Sequence, residues 1–143
     1  MKKNKFIALF VFLAISSEIF GQLSVSSYSI YALGVNTTQN KKLSGELKVF
    51  GNRLAEDILL EPTILFNFAP KEYHRFSVGI GLNFMPLGSF DRIYALTVPM
   101  QLQIFPLTDM KKLSLLIELT PEFIVEETIN LRHLWGFRYN FGN

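Results

Sequence analysis

Along residues 75–85, RFSVGIGLNFM, large apolar side chains recur at every second position: Phe76, Val78, Ile80, Leu82 and Phe84. Arg75, Ser77, Gly79, Gly81 and Asn83 fall between them. Alternation at period two gives a strand one apolar face, whereas a helix would spread the same five side chains around its circumference. The arrangement repeats. Residues 57–68 set Ile58, Leu60, Pro62, Ile64, Phe66 and Phe68 against Asp57, Glu61, Thr63 and Asn67. Residues 93–105 set Tyr94, Leu96, Val98, Met100, Leu102 and Ile104 against Ala95, Thr97, Gln101 and Gln103. Residues 112–125 set Leu113, Leu115, Ile117, Leu119, Phe123 and Val125 against Ser114, Glu118, Thr120 and Glu122. The closing segment, 131–141, sets Trp135, Phe137, Tyr139 and Phe141 against Arg132, Gly136, Arg138 and Asn140. Segments 24–36 and 43–51 alternate less strictly and read as one strand each.

Seven strands are thus visible, and nothing in 22–143 reads as a helix. The links between them (NTTQNKK, NRLAE, APKEYH, PLGSFDR, PLTDMKK and EETIN) are short and rich in turn residues or charge. Short links imply an antiparallel, up-and-down meander. Closure into a membrane barrel requires an even number of strands, so about eight are expected: either a boundary near 22–56 divides a segment further, or the sheet closes unusually or with a partner. Pro62, Pro99 and Pro121 each remove a ladder donor, and bulges are expected there, a weakened seam between the last strands being the alternative. Folding back about 126–130 places Glu118 roughly opposite Arg138.

The polar face is unlike a solvated one. It mixes small and amide residues with four acids, Glu46, Glu61, Glu118 and Glu122, and four bases, Lys48, Arg75, Arg132 and Arg138. Buried charges must be paired, and this balanced set suits a narrow, self-neutralising barrel interior. Gly79, Gly81 and Gly136 would leave room there for the long arginines. The apolar face would then meet lipid, and the strands are long enough to cross a bilayer when tilted. Phe68, Tyr73, Phe76, Phe105, Tyr139 and Phe141 gather at one end of the meander; Phe84, Phe90, Tyr94 and Phe123 gather at the other. Two such groups are expected where a barrel meets two membrane–water interfaces. The competing reading is a secreted, lipocalin-like soluble barrel with its apolar face inward and a ligand inside.

Composition sharpens this in two ways. The 143 residues suit one domain, and the absence of cysteine excludes disulfides, a lipidated cysteine and a thiol nucleophile. Met1–Lys5 is a basic leader, Phe6–Ile15 an apolar core, and Ser16–Gly21 a cleavage region. That is the layout of a Sec-type signal peptide over 1–21, leaving a barrel domain over 22–143. Removing Lys2, Lys3, Lys5 and Glu18 leaves eleven basic and eleven acidic residues. The mature chain is formally neutral, which argues against nucleic acid as a partner.

Candidate chemistry is sparse. His74 and Ser77 have opposite parity in their strand, so they cannot share a proton across one face. His133 falls on the apolar face, and neither histidine has metal ligands at suitable spacing. Glu118 and Glu122 share a face and could act as acid and base, but pairing with interior arginines accounts for them more simply. No catalytic residue, cofactor site or metal site is assigned.

The closing segment, Gly136-Phe137-Arg138-Tyr139-Asn140-Phe141, together with the export leader and alternating strands, resembles the small outer-membrane β-barrel proteins of Gram-negative bacteria, especially those of the Bacteroidetes type. The match falls on Gly136, Tyr139 and Phe141; Leu134 at a usually polar position and the trailing Gly142-Asn143 depart from it. The resemblance implies residence in the cell outer membrane and a closing strand that the barrel-assembly machinery reads as a signal. The resemblance says little about activity; the lack of a catalytic set on the chain leaves a non-enzymatic envelope-structural or partner-docking role as the first expectation, with membrane lipid and other outer-membrane proteins as partners. A small pore or a carrier of a hydrophobic ligand in the outer membrane is the alternative, ranked lower because a charge-packed eight-strand interior is too narrow for an aqueous channel.

Overall fold

The computed structural model describes residues 23–37, 41–51, 58–87, 93–107, 109–124 and 129–142. The leader assigned to 1–21 lies outside the described residues, as does Phe90. Among the described residues every regular element is a strand: β1 (Ser24–Tyr28), β2 (Ala32–Asn36), β3 (Leu43–Phe50), β4 (Leu59–Asn67), β5 (His74–Phe84), β6 (Ile93–Thr97), β7 (Met100–Ile104), β8 (Leu113–Ile124) and β9 (Ile129–Asn140). All neighbours run antiparallel, and β1 pairs with β9, so the sheet closes on itself.

Nine segments make eight staves. β6 and β7 both lie between β5 and β8, and their registers to those neighbours continue from one segment to the next across the interruption. The interruption is Val98–Pro99, where proline supplies no amide to the ladder. Pro121 lies across from it, its carbonyl accepting the Val98 amide at 3.1 Å. Contrary to the expectation from sequence, the prolines break rungs without bulging the strand. The register shift instead falls at Asn83/Phe84, where β5 meets Ile93.

The eighth stave comes from 24–36. This stretch is not one strand but a hairpin, β1 and β2 paired from Ser24↔Asn36 to Tyr28↔Ala32. Its turn carries no glycine, proline or asparagine. Tyr31 itself takes φ 35°, the left-handed conformation that closes a three-residue turn. With eight staves, both ends of the barrel domain reach the same rim.

Following cross-strand partners around the sheet leads from Ser24 to Asn36, Glu46, Thr63, Gly81, Thr97, Glu122 and Asn130. Yet the β9 residue facing Ser24 is Asn140, so the circuit closes with a stagger of ten residues. At roughly 3.3 Å per residue and 4.7 Å between strands, that stagger over eight staves tilts them about 40°. The bore of such a barrel is wide enough only for its own side chains.

Glycine matters most at the closing seam. A Cβ on Gly136 would collide with the Ser27 carbonyl oxygen and lie 2.9 Å from the Tyr28 Cα. The backbones of β1 and β9 therefore meet at a distance only glycine permits. The space beside Gly79 and Gly81 is likewise taken by neighbours, Leu65 with Thr63 and Thr63 with Thr97 respectively. These glycines do not make room for arginines, as the sequence suggested. Among the described glycines it is Gly34 that yields to a charged group, since a Cβ there would lie 2.9 Å from Glu46 Oε1.

The hairpin is short and β9 is long. The last rung between them is the Ser29 amide donating to the Trp135 carbonyl at 2.8 Å. Beyond it β9 continues through Leu134 to Ile129, still paired with β8 on its other side. Among the described residues no strand pairs with this edge, and for the tilt above it extends about 15 Å along the barrel axis.

Candidate functional site

Burial follows the alternation with reversed polarity. Ser26, Asn36, Lys48, Glu61, Asn83, Thr97, Thr120 and Arg138 are wholly buried in the bore. Ile64, Ile80, Leu96, Ile117, Trp135 and Phe137 face outward and exposed, as do large apolar residues on every other stave. The aromatic groups mostly follow. Phe68, Tyr73, Phe76, Tyr139 and Phe141 are exposed near the rim that carries the termini, and Tyr94 and Phe123 near the opposite one. Phe105 is a correction: it is buried, turned inward with the Arg75 guanidinium 5.9 Å from its ring centroid.

Seven of the eight interior charges form one ladder. Toward the rim with the termini, Arg138 on β9 reaches Glu46 on β3 at 3.1 Å and donates to Ser26 Oγ at 2.8 Å. The Tyr28 hydroxyl donates to the same Glu46 at 2.6 Å, and Gln101 donates to Glu46 and, at 2.7 Å, to Glu118. In the middle, Lys48 on β3 contacts Glu61 at 2.8 Å and Glu118 at 2.7 Å, with Glu46 at 3.8 Å. Above it, Arg132 on β9 contacts Glu61 and Glu122, each at 2.6 Å, and Glu118 at 3.6 Å. Asn83 and Asn130 complete Glu122, each donating at 3.1 Å. Arg75 is half-buried against Phe105.

Two of these contacts cross the whole bore. β3 and β8 are four staves apart in an eight-stave ring, as are β4 and β9. Lys48–Glu118 and Arg132–Glu61 therefore join diametrically opposed walls. The expected apposition of Glu118 and Arg138 does not occur: Glu118 faces Leu134 across the ladder, and Arg138 faces Ser114. The hairpin pivots earlier than the sequence suggested, and both residues find partners across the bore instead.

Three apolar residues that the polar pattern did not mark also point inward. Leu116 and Leu134 pack with Tyr28 and Ala32, with Phe50 against them, and Leu65 is fully buried beside the Gly79 backbone. The Arg132 guanidinium stacks 4.7 Å from the Phe50 ring centroid, linking this cluster to the upper ion pairs. Parity alone could have flagged these leucines, because each sits at a position of its strand whose neighbours two away are polar or glycine.

Other candidates separate. Ser77 is buried and donates to Asn67 Oδ1 at 2.6 Å, while His74 is exposed on the other face. Glu118 and Glu122 both face the bore, but each is held by its own cation and amide donors. His133 is exposed on the outer face. Among the described residues no three His, Cys, Asp or Glu side chains gather to hold a metal. Gly136 packs the seam, and Tyr139 and Phe141 stack edge to face with ring centroids 5.1 Å apart on the outer surface. No protein-family model, curated protein or solved structure matches the chain.

Proposed function

We propose that the protein is a non-enzymatic, integral outer-membrane β-barrel with an envelope-structural or partner-docking role. The observation that carries this reading is the inverted polarity: a charged, hydrogen-bonded bore inside an apolar outer wall. Monomers in water rarely expose continuous apolar patches beyond a few hundred Å², and here apolar side chains cover the outward positions of every stave. A lipid bilayer is the solvent that suits such a wall, and a closed barrel satisfies the backbone groups that a bilayer cannot. A lipocalin-like carrier would instead line its bore with apolar residues. The leader over residues 1–21 would export the chain, and Gly136, Tyr139 and Phe141 would serve as the assembly signal on the closing strand.

Fractionation tests the reading. The protein should leave the membrane only with detergent and migrate differently on gels when unheated; recovery in the soluble periplasmic fraction overturns the proposal. Ile80→Arg, at an outward position in the middle of β5, should cost about 2–4 kcal/mol in lipid, the value for a cation at the bilayer midplane. In a soluble barrel an exposed arginine there would cost almost nothing.

The pore alternative is disfavoured by Lys48–Glu118 and Arg132–Glu61, which cross the bore. Planar-bilayer recordings should give a flat trace, and discrete conductance steps would reverse the ranking. Tyr139→Ser with Phe141→Ser should impair assembly in cells while the purified chain still refolds in detergent; normal insertion would remove the signal role.

A further inference from the structure

The two rims differ in charge. The rim carrying the termini presents five exposed lysines, Lys41, Lys42, Lys71, Lys111 and Lys112, against two carboxylates, Glu72 and Asp109. Among the described residues, the strand ends at the other rim, 29–31, 50–51, 84–87, 93–94, 123–124 and 129–131, carry no lysine and no exposed charge. Among the described residues the exposed lysines are thus confined to one end.

The lysines are also fixed in place by their backbones. The Asn67 side chain donates to the Lys41 carbonyl at 2.9 Å, and the Asn67 amide donates to the Lys42 carbonyl at 2.7 Å. The Asn140 amide donates to the Lys112 carbonyl at 2.8 Å, and the Lys71 amide donates to the His74 carbonyl at 3.0 Å. Each link is therefore pinned to a strand end. Immediately beneath them on the outer wall lie the stacked rings of Phe66, Phe68 and Phe76 and the pair Tyr139–Phe141. Aromatic rings of a membrane barrel sit at the lipid–water interface, so lysines one step further out stand at the depth of the head groups.

We propose that this basic rim seats on the phosphates of anionic lipid head groups, gathering anionic phospholipid around the end of the barrel that carries its termini. The proposal rests on the membrane reading above. It goes beyond that reading in giving the barrel a lipid preference and one end at which to exert it. Near an anionic surface each lysine favours association by roughly fivefold, and the effect is screened by salt.

The chain carries its own reporter. Trp135 is its single tryptophan, exposed on the outer face of β9, the strand whose end at Asn140 pins Lys112. The purified protein is reconstituted in phosphatidylcholine vesicles containing increasing fractions of brominated phosphatidylglycerol, or of brominated phosphatidylcholine as reference. Stronger quenching by the anionic lipid, equivalent to an association preference of about fivefold or more, is expected at low salt. It should collapse toward unity in high salt and in the variant K41Q/K42Q/K71Q/K111Q/K112Q. K111Q/K112Q alone should lose a large part of it, which keeps the test available if the fivefold variant does not fold. Identical quenching curves for the two lipids overturn the basic-rim proposal and leave the membrane reading intact. Absence of quenching by either lipid overturns the membrane reading, and the rim proposal with it. Inorganic phosphate that erases the preference, where chloride of equal ionic strength does not, would assign the rim to free phosphate and overturn the lipid assignment.

Discussion

Replacing Lys48 by Met tests whether the charged ladder is the barrel's core. The substitution keeps length and apolar volume but removes a cation that is wholly buried between Glu61 at 2.8 Å and Glu118 at 2.7 Å. At an effective dielectric of about 20, each such contact amounts to about 6 kcal/mol of gross attraction, most of it offset by desolvation of the ions. The net loss depends on what each carboxylate keeps. Glu61 retains Arg132 at 2.6 Å and Glu46 retains Arg138 at 3.1 Å. Glu118 retains only Arg132 at 3.6 Å, with Gln101 and Thr120 donating at 2.7 and 2.8 Å. The penalty thus concentrates on Glu118, and a buried charge stripped of its partner costs about 3–5 kcal/mol. Glu118→Gln added to Lys48→Met removes that stranded charge, so the double variant should regain about 2 kcal/mol over Lys48→Met, a coupling typical of residues in contact. The assay is equilibrium urea unfolding in lipid vesicles, followed by the Trp135 emission, with the unheated gel band as a second readout. A Lys48→Met barrel within about 1 kcal/mol of the parent, or a double variant no better than strict additivity, would refute the claim that cross-bore pairing holds the walls together.

Gly136→Val should prevent closure, because its side chain would enter the space of the Ser27 carbonyl and force β1 off β9. Loss of the compact unheated band would check this, and a normally folded variant would show that the seam tolerates a wider spacing. Amide exchange should alternate along the upper part of β9. The Leu131 and His133 amides point to the side where β1 has ended, as the Trp135 carbonyl on that side takes the last rung. Those of Arg132 and Leu134 point into the β8 ladder. Exchange in detergent measured by NMR should be fast at the first pair and slow at the second; equal protection would mean that another segment covers this edge.

Much of the barrel was legible along the chain because strand parity is a local property. Every second residue of β4, β5, β8 and β9 turns to the same side whatever the sheet does elsewhere. Glu46, Lys48, Glu61, Glu118, Glu122, Arg132 and Arg138 could thus be assigned to one face before any fold was known. The β1–β2 turn was not legible, since its left-handed residue is Tyr31 rather than a glycine or asparagine, and the alternation on its two sides reads as one continuous strand. Phe105 lies just past the end of β7, where it takes the inward side and covers Arg75. The prolines looked like bulge sites, yet Pro99 and Pro121 lie against the same stretch of ladder and leave the register unchanged.

The sequence by itself determined the all-strand character of the chain, the two faces of its strands, and the equal numbers of acids and bases on the polar one. Those follow from a period of two and from the chemistry of each side chain. It did not determine which acid meets which base. Lys48 and Glu118 lie seventy residues apart and meet because four staves separate them in an eight-stave ring. Arg138 finds Glu46 rather than Glu118 because the turn before β9 sets that strand's height against β8, and closure onto β1 fixes its position around the ring. Parity fixes only inward or outward. Stave number, stagger and closure fix the angle and height at which an inward side chain arrives, and those quantities exist only once the sheet has joined its own ends.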